Sequence, residues 1–306
     1  MTGVLAYSGA AAAQQVVNWL SLGSIYALLA IGIAAVFAVL GLINFAHGEV
    51  LTVSGVAMLI AGEHGWPWES FLPIAVATGC VTAVLMERIA FRPVRNAPPL
   101  TLLLTSLGLS LIIQNMLQLW RGPRAESINI PNLTASTFHL GSVIIQWVDV
   151  ATILTTFAAL ATLNLFLRKS VRGLAMRAAA EDFTMTRLMA IRANTVISAA
   201  FAVSGILAGI AAFFYLGATT GQVGYDYGFN PLLKGFVAAV IGGLGSLSGA
   251  VLGGFILAGL EIFFQVTLPA EKTPFSTAIV FGIAVLVLLF RPQGVLAGRS
   301  VRVERV

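Results

Sequence analysis

The sequence predicts an all-α, polytopic membrane protein, and three observations carry that prediction. Charge is scarce, apolar runs of spanning length recur, and the basic residues fall between those runs. Only 9% of the 306 residues are charged and 58% are hydrophobic, with a mean hydropathy of +0.94. A soluble domain carries about 25% charged residues. A Lys, Arg or Asp at the centre of a spanning helix costs roughly 2.5–3.5 kcal/mol, so scarcity of charge is what a lipid-facing chain needs.

A spanning helix takes about 20 apolar residues. Runs of that kind fall near 14–41, 70–91, 100–120, 148–167, 194–216 and 274–290. The stretch 48–62 is shorter, and 232–267 is long enough for two segments broken near Gly242, Gly243 and Gly245. About eight transmembrane or broken membrane helices result, in one transmembrane domain covering 1–306. The first charged residue is Glu49 and no basic n-region precedes the opening run, so that run is expected to be a retained span. Each half has a hydrophobic segment, a polar or Gly-containing break and a further segment. That is the pattern of an inverted repeat, whose breaks point at a solute path.

Orientation follows from the basic residues, which stay on the cytosolic side. Arg88, Arg92 and Arg95 follow one span, and Arg291, Arg299, Arg302 and Arg305 follow the last. The loops at 63–69, 121–147, 217–231 and 268–273 then face outside, with Trp66 and Trp68 at the interface. The side of the N-terminus stays open, because the first 48 residues carry no charge. This placement also explains the net charge of +5 without nucleic acid. A single cysteine, Cys80, leaves no disulfide or thiolate site. His47, His64 and His139 lack ligand spacing, so no metal is expected, and no catalytic cluster is readable.

Residues 168–192 form a polar insert between two clean spans and carry eight charged side chains. Leu174, Ala178, Glu181, Met185 and Leu188 recur at helical spacing without an intervening Pro, which predicts one or two short amphipathic helices. As a solvated loop the insert anchors topology. As a docking element it offers Arg177, Ala179 and Ala180 for close approach and Glu181 and Asp182 for basic groups on a partner.

Polar residues inside the apolar runs are the other candidates. Asn44, His47 and Glu49 fall where a run breaks, and intramembrane ionisable groups are usually functional or paired. They serve either as a helix-break and N-cap motif or as part of a solute path. Thr101, Thr105, Ser106, Ser110 and Gln114 share faces of one helix, either lining a path or bonding back to their own carbonyls. Gly243 and Gly245, with Gly242, Gly249 and Gly253, permit a broken helix or close packing. No Gly-x-x-x-x-Gly-Lys-Ser/Thr loop is present, so any ATP must be hydrolysed by another chain. Lys234 is near a segment end, where it can snorkel, and Glu261 has no assigned role.

The order Arg177-Ala178-Ala179-Ala180-Glu181, followed by Ala190-Ile191, resembles the coupling loop of ABC importer permeases. Gly23-Ser24-Ile25-Tyr26-Ala27-Leu28 and Asn44-Phe45-Ala46-His47-Gly48-Glu49 resemble the branched-chain amino-acid ABC permeases, the H-type subunit in particular. Lys234 through Ser246 and Arg291-Pro292-Gln293-Gly294 resemble the same family. Ala190 stands where the family often has Gly. The resemblance implies a multi-pass protein of the bacterial inner membrane that pairs with an M-type permease and two ATPase subunits. It also implies an extracytoplasmic binding protein that delivers the solute, and no cofactor on this chain, since ATP is used by its partners. Branched-chain amino acids are the expected solute, with urea, short amides and aromatic acids as relatives' cargoes. The alternative is a secondary transporter or channel, against which the 168–192 insert argues.

Overall fold

The computed structural model describes residues 9–41, 43–95, 97–128, 137–140, 143–181, 183–189, 191–219, 221–291 and 294–295. Helix α1 (Gly9–Leu40) ends at Gly41, whose φ of 65° continues no right-handed helix. A short segment leads to α2 (His47–Glu63). Helix α3 (Phe71–Met86) is entered by a 3₁₀ turn, Trp68–Ser70, and continues through a π-helical turn, Glu87–Phe91, to Val94. Pro98 and Pro99 then open α4 (Pro99–Arg121), where a missing N–H costs nothing. Strands β1 (Glu126–Ser127), β2 (Thr137–Leu140) and β3 (Val143–Gln146) follow.

Gln146 and Asp149 form a capping box that starts α5 (Trp147–Lys169). Two short helices come next, α6 (Val171–Glu181) and α7 (Phe183–Leu188), then α8 (Ala193–Ala218). Strand β4 (Gln222–Val223) precedes α9 (Phe229–Gly242), which has Pro231 in its first turn. Ser246 caps α10 (Leu247–Thr267) by accepting from Gly249 N. A 3₁₀ turn, Ala270–Phe275, leads to α11 (Ser276–Phe290).

Seven of these helical stretches have the length and composition to cross a membrane, and α9 is apolar but shorter. With α2 they give seven long spans and two half-length helices, close to the expected eight. The insert at 168–192 forms two short helices, as its spacing predicts. The apolar window of α1 is 83% buried inside the chain, against 17% for α4, α5 and α11. Helix α1 is therefore a central post, and the latter three present their apolar sides outward.

The packing repeats with inverted direction. Helix α1 lies along α10 as α8 lies along α3, and α1 touches α9 as α8 touches α2. The pair α2–α3 matches α9–α10, and α1 meets α8 at the centre. Helix α5 stands outside the repeat. Close crossings make this compact: a Cβ on Gly205 would lie 2.4 Å from Gly79 O, and one on Gly254 would lie 2.5 Å from Ala27 N. Small residues let helices touch along their backbones where lipid offers no hydrophobic drive for association.

At the arginine-rich end, which the positive-inside rule assigns to the cytosol, Arg95 donates to Asn194 at 2.6 Å and Arg92 to Ser198 at 3.0 Å, joining α3 to α8. At the opposite end β1 pairs with β4 and β2 with β3, while Arg121 binds both Glu63 and Glu126. Ile144 N donates to Gln14 at 2.9 Å. The start of α1 therefore lies at this external end, which the sequence left open. The region 217–231 departs from its reading as an external loop. After β4 the chain turns inward to Gly228, which touches α2, because Gly228 has no side chain to hold it away and the Tyr227 hydroxyl finds Ala212 O at 2.7 Å.

Candidate solute path and cytosolic docking surface

The two half-length helices meet at their amino ends. Gly228 N donates to Thr52 Oγ1 at 3.0 Å, and a Cβ on Gly228 would sit 1.8 Å from Gly48 O. From this contact α2 runs to the external end and α9 to the cytosolic end. The contact lies deep in the membrane, since its neighbours Ser204 and Ser110 are near the middles of α8 and α4. Aligned peptide dipoles place about half a positive charge at each helix amino end. Two such ends thus face one another in a region with few other charges.

Three predicted residues are here. Asn44 Oδ1 accepts from Ala46 N at 3.0 Å, a turn just ahead of α2, whose N-cap residue Ala46 makes no side-chain cap bond. His47 is 2% exposed, with Nδ1 3.3 Å from Ser204 Oγ. Ser204 gives its own hydrogen to Gly32 O at 2.8 Å, so Nδ1 is the donor of the His47–Ser204 pair. Glu49 is fully buried, and its Oε1 accepts from Ser110 at 2.8 Å and Gln114 at 2.7 Å. Among the described residues His47 Nε2 and Glu49 Oε2 have no hydrogen-bond partner.

The hydroxyl stripe divides. Ser106 accepts from Phe45 N at 3.3 Å, so Ser106, Ser110 and Gln114 form one face against the start of α2. Thr105 bonds back to Thr101 O at 2.7 Å, and neither residue joins the cluster. Gly243 and Gly245 lie elsewhere, in the turn between α9 and α10. The 14 residues of α9 put them about 20 Å from Gly228 at 1.5 Å per residue. Gly243 has a φ of 105° and ends α9, with Gly294 against it and Val295 N donating to Ile241 O at 2.8 Å. A Cβ on Gly245 would meet nothing within 4 Å, whereas Gly249 and Gly253 carry the close packing of α9 on α10.

Residues the sequence reading passed over, and two that it left apart, belong to this picture. Asp226, Phe229 and Asn230 flank Gly228 and are exposed on the chain's own surface. Lys234 does not snorkel: its Nζ donates to Glu261 at 2.6 Å and to Tyr26 at 2.8 Å, and Tyr26 donates to Glu261 at 2.7 Å. This buried triad fastens α9 to α1 and α10. Glu87, fully buried in the π-helical turn, accepts from Arg92, Arg95 and Ser198. Arg92 and Arg95, one and two turns beyond an acidic residue, were the available signal, and Glu87 was its unread part.

The helices α6 and α7 hang from a sharp elbow at the cytosolic end. Gly173 N donates to Ser170 Oγ at 2.9 Å, and a Cβ there would lie 2.2 Å from Phe166 O. Gly173, Met176 and Ala179 are buried against the neighbouring helices. Leu174, Leu188 and Met189 are 57–76% exposed, so the apolar stripe seen in the sequence points outward. Arg177 and Glu181 are exposed, and Ala180 and Ile191 are half-buried. Asp182 and Ala190 lie outside the described residues.

An inverted pair of helical repeats, with two broken helices meeting inside the membrane, defines a multi-pass transporter-type permease. The family described as "Branched-chain amino acid transport system / permease component" matches residues 15–289, and the chain belongs to it. It is 36% identical to the high-affinity branched-chain amino acid transport system permease protein BraD of Pseudomonas aeruginosa, over 96% of this chain and 97% of that protein. It is 35% identical to the corresponding LivH of Escherichia coli K12, again over 96% and 97%. The fructose import permease protein FruF of Bifidobacterium longum is 24% identical, over 83% of this chain and 72% of that protein.

Proposed function

We propose that this chain is the H-type membrane-spanning subunit of an ATP-driven importer in the bacterial inner membrane, passing branched-chain or related amino acids. The observation that carries this reading is the meeting of the α2 and α9 amino ends beside Glu49. An amino acid has a carboxylate, an ammonium and a side chain. The paired helix ends favour the carboxylate, the carboxyls of Glu49 and Asp226 favour the ammonium, and Phe229 offers apolar surface. One half-helix leads outward and the other inward, so rocking one repeat against the other opens the junction to either side in turn.

Polar groups exposed at membrane depth do not face lipid. Asp226 and Asn230 therefore support a second permease, of M-type, covering this face and completing the path. The outward stripe of α6 and α7, with Arg177, Ala180, Glu181 and Ile191 around it, supports docking of an ATPase subunit in a groove-and-helix manner. Two ATPase subunits then serve the two permeases and hydrolyse the ATP, and this chain binds no cofactor of its own. The external strands and the Arg121 cluster offer a platform for an extracytoplasmic binding protein, which selects the solute first.

Co-purification tests the docking half directly. The wild-type chain is expected to retain an ATPase subunit. Ala180→Arg combined with Glu181→Lys is expected to release it while the membrane part stays folded. Retention by that variant would overturn the assignment of α6 as the docking element.

A further inference from the structure

We propose that the cytosolic end of this permease holds the phosphate head group of an anionic phospholipid, in a cleft between α3, α6 and α8. The cleft measures about 430 Å³ and is lined by Arg88, Arg92 and Arg172. Arg92 turns toward Glu87, which it shares with Arg95. Arg88 and Arg172 are exposed, and neither has an ion-pair partner among the described residues. Two guanidinium groups thus hold the one carboxylate, and two more, those of Arg88 and Arg172, line a cleft whose described lining includes no acid. Asn194 and Ser198 add amide and hydroxyl groups on the α8 side.

The remaining wall decides between a lipid and a free anion. Val84, Ala199 and Ala202 line it and are apolar. Val81 and Leu85 continue the stripe along α3, 57% and 48% exposed, about two turns and one turn from Arg88 toward the bilayer. A cation at the membrane surface below an apolar stripe matches a head group below its acyl chains. Arginine forks bind phosphate oxygens in pairs, and basic clefts between helices on the cytoplasmic side suit anionic head groups. A free phosphate would use the arginines and leave the stripe idle.

The bound head group would bridge α3 to Arg172 on α6 and so steady the helix proposed to dock the ATPase. That consequence rests on the docking assignment, whereas lipid binding does not. Native mass spectrometry of the full-length permease tests binding by itself. Phosphatidylglycerol is expected to stay bound under delipidation when phosphatidylethanolamine does not. Arg88→Ala and Arg172→Ala are each expected to weaken retention about fivefold, and the lysine variants less. Equal retention of both lipids by the wild type, a comparison needing no variant, would overturn the proposal. So would unchanged phosphatidylglycerol retention by the folded double variant. Binding of inorganic phosphate without any preference for phosphatidylglycerol would assign the cleft to a free anion instead.

Discussion

Replacing Gly228 by alanine should separate the two half-helices. The added Cβ would lie 1.8 Å from Gly48 O, 2.7 Å from Gly48 C and 2.9 Å from Thr52 Oγ1. A carbon–oxygen contact relaxes only beyond about 3.2 Å, so the backbones must part by more than 1 Å or distort. Overpacking of that kind costs about 1–3 kcal/mol. Stretching the Gly228 N–H to Thr52 bond adds about 1 kcal/mol. The expected destabilisation is therefore about 2–4 kcal/mol, read as a lower Tm of the purified complex, with uptake falling as the junction opens. Gly245→Ala is the matched control, because an added Cβ there meets nothing within 4 Å and should leave both readouts unchanged. If Gly228→Ala left Tm and uptake at wild-type levels, the close meeting of α2 and α9 would be refuted.

Other substitutions test the charges around the junction. Glu49→Gln keeps the acceptor used by Ser110 and Gln114, so the fold should hold, whereas uptake should fall at least about tenfold if the carboxylate meets the solute ammonium. Wild-type transport by that folded variant would confine Glu49 to a structural role. Lys234→Met strands a buried carboxylate and should destabilise by about 3 kcal/mol, and adding Glu261→Gln should restore most of it. Additive losses in that cycle, followed by thermal melting, would show that the pair is not coupled. Glu87→Gln should loosen α3 from α8 by about 1–3 kcal/mol, seen as faster amide exchange at the cytosolic ends. Unaltered exchange would mean that the Arg92 and Arg95 contacts carry little.

The spans were legible because lipid imposes length and apolarity on every segment, and the π-helical turn at Glu87 hardly disturbs that signal. The breaks at 41–46 and 242–246 were legible because Gly and polar residues interrupt long runs. What the sequence hid was depth. Residues 217–231 read as an external loop because they are polar and glycine-rich, yet those same properties let Gly228 reach Gly48 inside the protein. Glu49 and the Ser106, Ser110 and Gln114 face were each visible. Their contact was not, since it joins α2 to α4 across 61 and 65 residues. Lys234 and Glu261 were seen separately, and local sequence gave no reason to pair a half-helix with α10. Gly243 and Gly245 drew notice by composition, while their place at the cytosolic turn is a matter of topology.

The most direct test is ATP-dependent uptake of radiolabelled leucine into proteoliposomes holding this chain, an M-type permease and the ATPase subunits, with binding protein outside. Accumulation should require ATP inside and binding protein outside, and should be lost with Ala180→Arg combined with Glu181→Lys. Leucine flux through this chain alone, or accumulation indifferent to ATP, would contradict the account.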